Sequence, residues 1–288
     1  MLLKPVIAYL ELIKFSHTLF ALPFALVSLL VATAGAPGWE TTLWIVLAMA
    51  GARSGAMGFN RLVDQKWDKA NPRTANRPSV TGEVSTVVNV GMITLSFALL
   101  VFAAWKLNPL AFKLAPVAIF LVTFYSYTKR FTTWCHLFLG LAIGAAPIAA
   151  WIAVTGEVTL GALFLGTSVL FWIAGFDILY ALQDYDFDKK NKLYSIPVRY
   201  GISNTLVIAR LLHLLTVVFW FLFAYYAQLN LLFYLGVLVV TGLLLWEHSL
   251  LLGNNLSRLN IAFFNMNAVI SVIFFIAVSL DIYFPLSL

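Results

Sequence analysis

The chain has 288 residues, of which 62% are apolar, 15% aromatic and only 10% charged, with a mean hydropathy of +0.93. Soluble domains carry about 25% charged residues, so this composition excludes a soluble enzyme, a nucleic-acid-binding domain and a secreted disulfide scaffold. The single cysteine, Cys135, can form no internal bridge, and in an apolar chain the formal charge of +6 reads as a membrane-topology signal rather than a nucleic-acid footprint.

A membrane-crossing helix needs about 20 mostly apolar residues. Windows of that length predict an all-α integral membrane protein with nine transmembrane helices in one bundle, centred near residues 25, 51, 95, 117, 144, 170, 215, 238 and 273. A transmembrane β-barrel would instead show short segments of alternating polarity. The first apolar stretch, Phe15 to Val31, is longer than a signal-peptide core and reads as a retained helix despite the small residues Ala32-Thr33-Ala34 after it. With the amino terminus in the cytoplasm, every Lys and Arg except Lys106 and Lys113 falls on the inner side, as the positive-inside rule requires.

The second-to-third and sixth-to-seventh connections are long and charged. They resemble one another, each holding Asp residues, then basic residues, then Pro72 and Pro78 or Pro197. The chain therefore reads as one domain over 1–288, with two pseudo-similar halves of about 1–130 and 131–288.

Six of the 12 acidic residues fall in two short stretches. The first runs from Asn60 through Asp64 to Asp68, and the second from Asp177 through Tyr180 and Asp184 to Asp188. Spacings of three, four and seven put each set on one helical face, with Asp186 pointing away. Carboxylates stacked four residues apart repel one another, and more so near hydrocarbon. Solvated helix ends, paired with Lys66, Lys69, Lys189 and Lys190, would answer that for one such run. Two runs on the same membrane side point instead to hard divalent cations, since Mg²⁺ takes a few carboxylates together with phosphate oxygens and water.

These residues resemble the UbiA superfamily of intramembrane aromatic prenyltransferases, and within it the 4-hydroxybenzoate polyprenyltransferase group. The likeness rests on Asn60, Asp64 and Asp68, the following Asn71-Pro72-Arg73-Thr74, Tyr125 with Lys129-Arg130, and Asp177, Tyr180-Ala181, Asp184 and Asp188. Ser195-Ile196-Pro197 with Gly201 adds to it. The resemblance implies transfer of a polyprenyl group from polyprenyl diphosphate to a small aromatic acid, with release of diphosphate, at the cytoplasmic face of a bacterial-type inner membrane. It implies two Mg²⁺ ions, one on Asn60, Asp64 and Asp68 and one on Asp184 and Asp188. Arg61, Lys66, Arg73, Arg77, Lys129 and Arg130 are the candidates for the diphosphate. Asp177 and Tyr180 are the candidate catalytic residues, Asp177 through the acceptor's phenol. Candidate aromatic walls for an allylic cation are Tyr125, Phe176, Tyr180 and Trp172.

Arg53 precedes Asn60 by seven residues and so shares its face; a buried Arg there calls for an anion, whether the acceptor's carboxylate, the diphosphate or an Asp. Arg53, Asp177 and Tyr125 form the expected acceptor site. Lys14 and His17 flank the cytoplasmic end of the first span, His17 as an interface residue. His136, His213, Glu247, His248, Asn265 and Asn267 read as structural, and Gly140 and Gly144 as points of close helix packing. A CDP-alcohol phosphotransferase is disfavoured because its Asp-Gly is missing ahead of Ala52-Arg53. A cation-coupled transporter is disfavoured because the ionisable residues gather at one interface rather than at the bilayer midplane. The acceptor stays open among 4-hydroxybenzoate, its futalosine-route menaquinone counterpart, and the dihydroxynaphthoate, haem-farnesylating and chlorophyll-type branches.

Overall fold

The computed structural model describes residues 9, 11–13, 22–251, 259 and 266–286. Lys4, Lys14, His17, Arg258 and Asn265 lie outside the described residues. Among the described residues all regular structure is helical. The main helices are α1 (Leu22–Ala32), α2 (Trp39–Ala70), α3 (Thr86–Leu107), α4 (Pro109–Thr128), α5 (Cys135–Thr155) and α6 (Leu160–Ala181), then the short α7 (Tyr185–Lys190), α8 (Ile196–Ala227), α9 (Leu231–Ser249) and α10 (Asn267–Tyr283). Seven helical stretches are long and apolar enough to cross a membrane, with α6 and α7 counted as one, while α1 and α10 are shorter apolar helices. Each of the nine window centres falls inside one of these helices.

Local chemistry sets several of the ends. Ser85, Asn108, Thr159 and Ser195 each accept a backbone N–H of the first turn of the following helix, satisfying donors the helix itself leaves unpaired. Pro109 and Pro197 occupy first-turn positions where no N–H is needed. Asp281 of the adjacent α10 caps the start of α9, accepting from Asn230 N–H at 2.7 Å and Phe233 N–H at 3.0 Å.

Consecutive helices pack side by side, α2 on α3, α3 on α4, α4 on α5 and α5 on α6, and then α6 on α8; α10 returns to pack on α1, closing the bundle. In a bilayer such contacts depend on close backbone approach rather than on expulsion of water. Gly144 shows this: a Cβ there would run into the Gly166 carbonyl of α6, and one at Gly140 into the Leu170 carbonyl. A buried apolar cluster joins α1, α6, α8, α9 and α10 through Phe24, Trp172, Trp220, Phe233 and Phe274. Gly201, with φ +77° and ψ 172°, takes a backbone shape open to glycine and bends α8 just after its first turn.

Candidate active site

One end of the bundle opens into a cavity of about 790 Å³ lined by side chains of α2, α4, α5, α6 and the connection after α2. A smaller polar chamber of about 170 Å³ adjoins it, and the two share Asn60, Arg61, Asp64, Arg73, Arg77, Lys129 and Asp184. The two acidic stretches, more than 100 residues apart in sequence, thus meet in one place.

On α2 the four-residue spacing brings Asn60, Asp64 and Asp68 to this side of the helix. Asn60 Nδ2 donates to Asp64 Oδ2 at 2.9 Å, and Arg61 Nη1 donates to Asn60 Oδ1 at 3.0 Å. Lys66 departs from expectation. It is exposed, sits over the Trp67 ring at 5.9 Å and lines neither chamber, because two residues along a helix turn a side chain well away from its neighbours.

The second stretch departs in another way. The expected single helical face from Asp177 to Asp188 is interrupted: α6 ends at Ala181, and Leu182–Asp184 form a 3₁₀ turn before α7. Its tighter winding lets Asp177 and Tyr180 face the large chamber while Asp188 reaches the small one, with Asp184 on the wall between. Asp186 points to solvent, as the spacing required.

The connection after α2 ties the stretches together. Asn71 caps α2, accepts from Arg73 N–H through Oδ1 at 3.0 Å, and donates through Nδ2 to Asp184 Oδ1 at 2.9 Å. Arg73 grips Asp184 with a fork, Nε to Oδ1 at 3.0 Å and Nη2 to Oδ2 at 2.5 Å, and its Nη1 donates to the Tyr180 hydroxyl at 2.7 Å. Such paired donors match a planar carboxylate or phosphate.

The carboxylates therefore do not pair with the exposed lysines of the helix ends. Arg130 meets Asp64 at 3.2 Å while stacking on Trp67, Arg77 meets Asp68 at 2.5 Å, and Lys129 meets Asp188 at 2.7 Å. Burial alone would lower the Lys129 ammonium, but the Asp188 charge outweighs it and raises its pKa. Burial likewise pulls on the Arg73 guanidinium, and its hydrogen bonds to Asp184 with the nearby Tyr180 carry it above its ordinary value.

The oxygen donors are not saturated by these contacts. Asp68 Oδ2 and Asp188 Oδ1 are buried with no hydrogen-bond partner, while Asp188 Oδ2 lies 2.7 Å from Lys129 Nζ. Among the described residues no three His, Cys, Asp or Glu side chains form a ready-made metal cage. Two oxygen-rich half-sites with spare lone pairs fit Mg²⁺, which usually completes its shell with water and phosphate rather than protein.

Arg53 lines the large chamber, its Nε buried and without a partner, together with Tyr125 of α4 and Phe176 of α6. Trp172 is fully buried in the aromatic cluster, 5.1 Å from Phe24 and 5.2 Å from Phe176, and lies outside the chamber; it is packing rather than wall. Two contacts escaped the sequence reading. Asn71 links the stretches, a role that only its place in the Asn71-Pro72-Arg73-Thr74 run hinted at, and His136 reaches Asp177, for which sequence spacing holds no signal.

A helical membrane bundle with a polar chamber, lined by two aspartate stretches and a ring of Arg and Lys, is the architecture of a membrane enzyme acting on a charged substrate. The sequence profile of the UbiA prenyltransferase family matches residues 21–269, and the chain belongs to that family. Similar sequences include the 4-hydroxybenzoate octaprenyltransferases of Vibrio campbellii, 32% identical over 84% of this chain and 85% of the relative, and of Nitrosococcus oceani, 31% identical over 86% of each. Among solved structures, a UbiA homologue from Aeropyrum pernix K1 is 27% identical and superposes over 92% of this chain and 98% of its own with a TM-score of 0.84. A UbiA homologue from Archaeoglobus fulgidus bound to GPP and Mg²⁺, 22% identical over 94% of this chain and 99% of its own, shares the fold with a TM-score of 0.67. The chain is accordingly an enzyme of the polyprenyltransferase type.

Proposed function

We propose that this enzyme transfers a polyprenyl group from polyprenyl diphosphate to the ring of a small aromatic acid, 4-hydroxybenzoate first among them, in ubiquinone or menaquinone biosynthesis. The observation that carries the reading is the meeting of both aspartate stretches with Arg53, Arg61, Arg73, Arg77, Lys129 and Arg130 in adjoining chambers. The names of the relatives, and the GPP and Mg²⁺ held by the A. fulgidus homologue, support it.

Asn60, Asp64 and Asp68 would hold one Mg²⁺, and Asp184 and Asp188 a second. Bound there, such ions supply Lewis-acid stabilisation of the negative charge that grows on the departing diphosphate. Arg61, Arg73, Arg77, Lys129 and Arg130 bind the phosphate oxygens and add fixed positive charge where that charge develops. Arg73 and Lys129 now pair with Asp184 and Asp188, and would exchange these carboxylates for phosphate oxygens when the donor and the metal enter. Tyr125, Phe176 and Tyr180 present aromatic faces to the allylic cation and keep water from it. Arg53 receives the acceptor's carboxylate, and Asp177 accepts the hydrogen of its phenol, sending electron density to the attacking ring carbon.

The same reading sets nine crossings with a cytoplasmic amino terminus in a bacterial-type inner membrane. The chamber then faces the cytoplasm, membrane lipid surrounds a single domain of two pseudo-similar halves, and the tail of the donor stays in apolar surroundings. The test is product formation by the purified protein in detergent, with a labelled polyprenyl diphosphate and a panel of aromatic acceptors read by mass spectrometry. Mg²⁺-dependent prenylation of carboxylated phenols is expected. Full turnover in excess chelator, or products from non-acidic acceptors alone, would overturn the reading.

A further inference from the structure

Asp177 differs from the other carboxylates of the site in what stands behind it. Asp64, Asp68, Asp184 and Asp188 each meet a permanent cation, Arg130, Arg77, Arg73 and Lys129 respectively. Asp177 meets an imidazole: His136 Nδ1 lies 2.7 Å from Asp177 Oδ2. The histidine sits in the first turn of α5 and the aspartate near the end of α6, 41 residues away, so the contact exists only because these two helices pack closely.

Both residues line the large chamber, but the His136 side chain is 3% exposed and that of Asp177 23%, so the carboxylate is the more open of the two. A carboxylate can only accept, so Nδ1 carries the hydrogen. His136 Nε2 is buried with no hydrogen-bond partner, and the ring turns its other nitrogen to Asp177. A buried polar ring is costly to place in an apolar bundle without a compensating bond, and here that bond fixes one oxygen of Asp177 and leaves the other for the chamber.

We propose that His136 is a positioning residue for the acceptor half of the reaction: it orients Asp177 so that the carboxylate's second oxygen takes the acceptor's phenolic proton. The inference rests on the prenyl transfer proposed above. In that step the allylic C–O bond breaks and its electron pair leaves with diphosphate. The ring carbon beside the hydroxyl supplies the pair for the new C–C bond while the phenolic proton passes to Asp177, giving a dienone. The substituted ring carbon then loses its hydrogen to water as a proton, and Asp177 returns the phenolic one. The net products are the prenylated phenol, diphosphate and one proton.

Three variants of the full-length protein test this in detergent with Mg²⁺, geranyl diphosphate and 4-hydroxybenzoate. His136→Asn places an amide N–H where Nδ1 was, His136→Gln places it near the Nε2 position instead, and His136→Phe keeps the ring and removes the donor. Losing the outer-shell partner of a metal ligand costs roughly 10–100-fold, and the same orienting logic here gives a kcat fall of about that much in His136→Phe and His136→Gln and less than about 5-fold in His136→Asn. Diphosphate released from the donor without acceptor should stay at the wild-type rate in all three. Should His136→Phe fail to fold, judged by thermal unfolding, the Asn and Gln pair decides. Wild-type kcat in His136→Phe, or an equal fall in Asn and Gln, would overturn the role. A wild-type protein that neither ionises the donor nor prenylates any aromatic acid would instead sink the transferase reading beneath it.

Discussion

Replacing Arg53 with Met, an uncharged side chain of similar length, separates binding of the acceptor's acid group from every other function of the site. Arg53 lines the large chamber, its Nε is buried without a partner, and it makes no ion pair among the described residues. A carboxylate received there gains charge-assisted hydrogen bonds of about 1.5–3 kcal/mol each, and truncating one partner of such a buried pair costs about 2–5 kcal/mol. Taking about 3 kcal/mol, and about 1.4 kcal/mol per factor of ten, kcat/KM for 4-hydroxybenzoate should fall roughly 10²-fold. The methyl ester of the same acid offers no carboxylate, and its kcat/KM should change by less than about 3-fold. Because the substitution removes a guanidinium with an unsatisfied buried nitrogen, the unliganded protein should unfold at no lower temperature. The assay is steady-state prenylation of both acceptors by wild type and variant at saturating donor. An equal loss for acid and ester would refute the assignment, and so would a loss below about 5-fold for the acid.

Asp188→Asn should raise the Mg²⁺ concentration needed for half-maximal activity and lower kcat by about 10²-fold or more, since one of two half-sites loses a carboxylate; a Mg²⁺ titration of diphosphate release checks both. Gly144→Val should destabilise the α5–α6 contact by about 1–3 kcal/mol, because its branched side chain meets the Gly166 carbonyl, and thermal unfolding in detergent should show a lower midpoint. Asp281→Ala should cost about 1–2 kcal/mol by leaving the Asn230 and Phe233 N–H groups of α9 without their acceptor. Its activity at low temperature should stay unchanged, because neither Asp281 nor the residues it caps line either chamber.

Much of this protein was legible in one dimension because two of its governing rules are local. Hydrocarbon demands about 20 apolar residues per crossing helix; seven of the nine windows fall in helices long enough to cross, and those near 25 and 273 fall in the shorter apolar helices α1 and α10. Helical geometry brings residues four apart onto one face, so Asn60, Asp64 and Asp68 could be grouped from spacing alone, as could the exposed orientation of Asp186. The same rule, pressed further, would also have turned Lys66 away from that group. Residue type carried the rest of the early signal: oxygen ligands for hard cations, guanidinium groups for phosphate.

What only the tertiary structure decided is which charge meets which. The pairing of Arg73 with Asp184, of Lys129 with Asp188 and of His136 with Asp177 joins residues 41 to 111 positions apart, and distance along a chain places no limit on such contacts. The 3₁₀ turn at Leu182–Asp184 likewise has no marker in a run whose apolar and acidic spacing suits a continuous helix. Trp172 and Phe176 look alike as aromatic residues near the acidic face, yet one is sealed in the core and the other lines the chamber. A periodic pattern specifies the face of one helix; its neighbours determine whether that face becomes a wall, a core or a site.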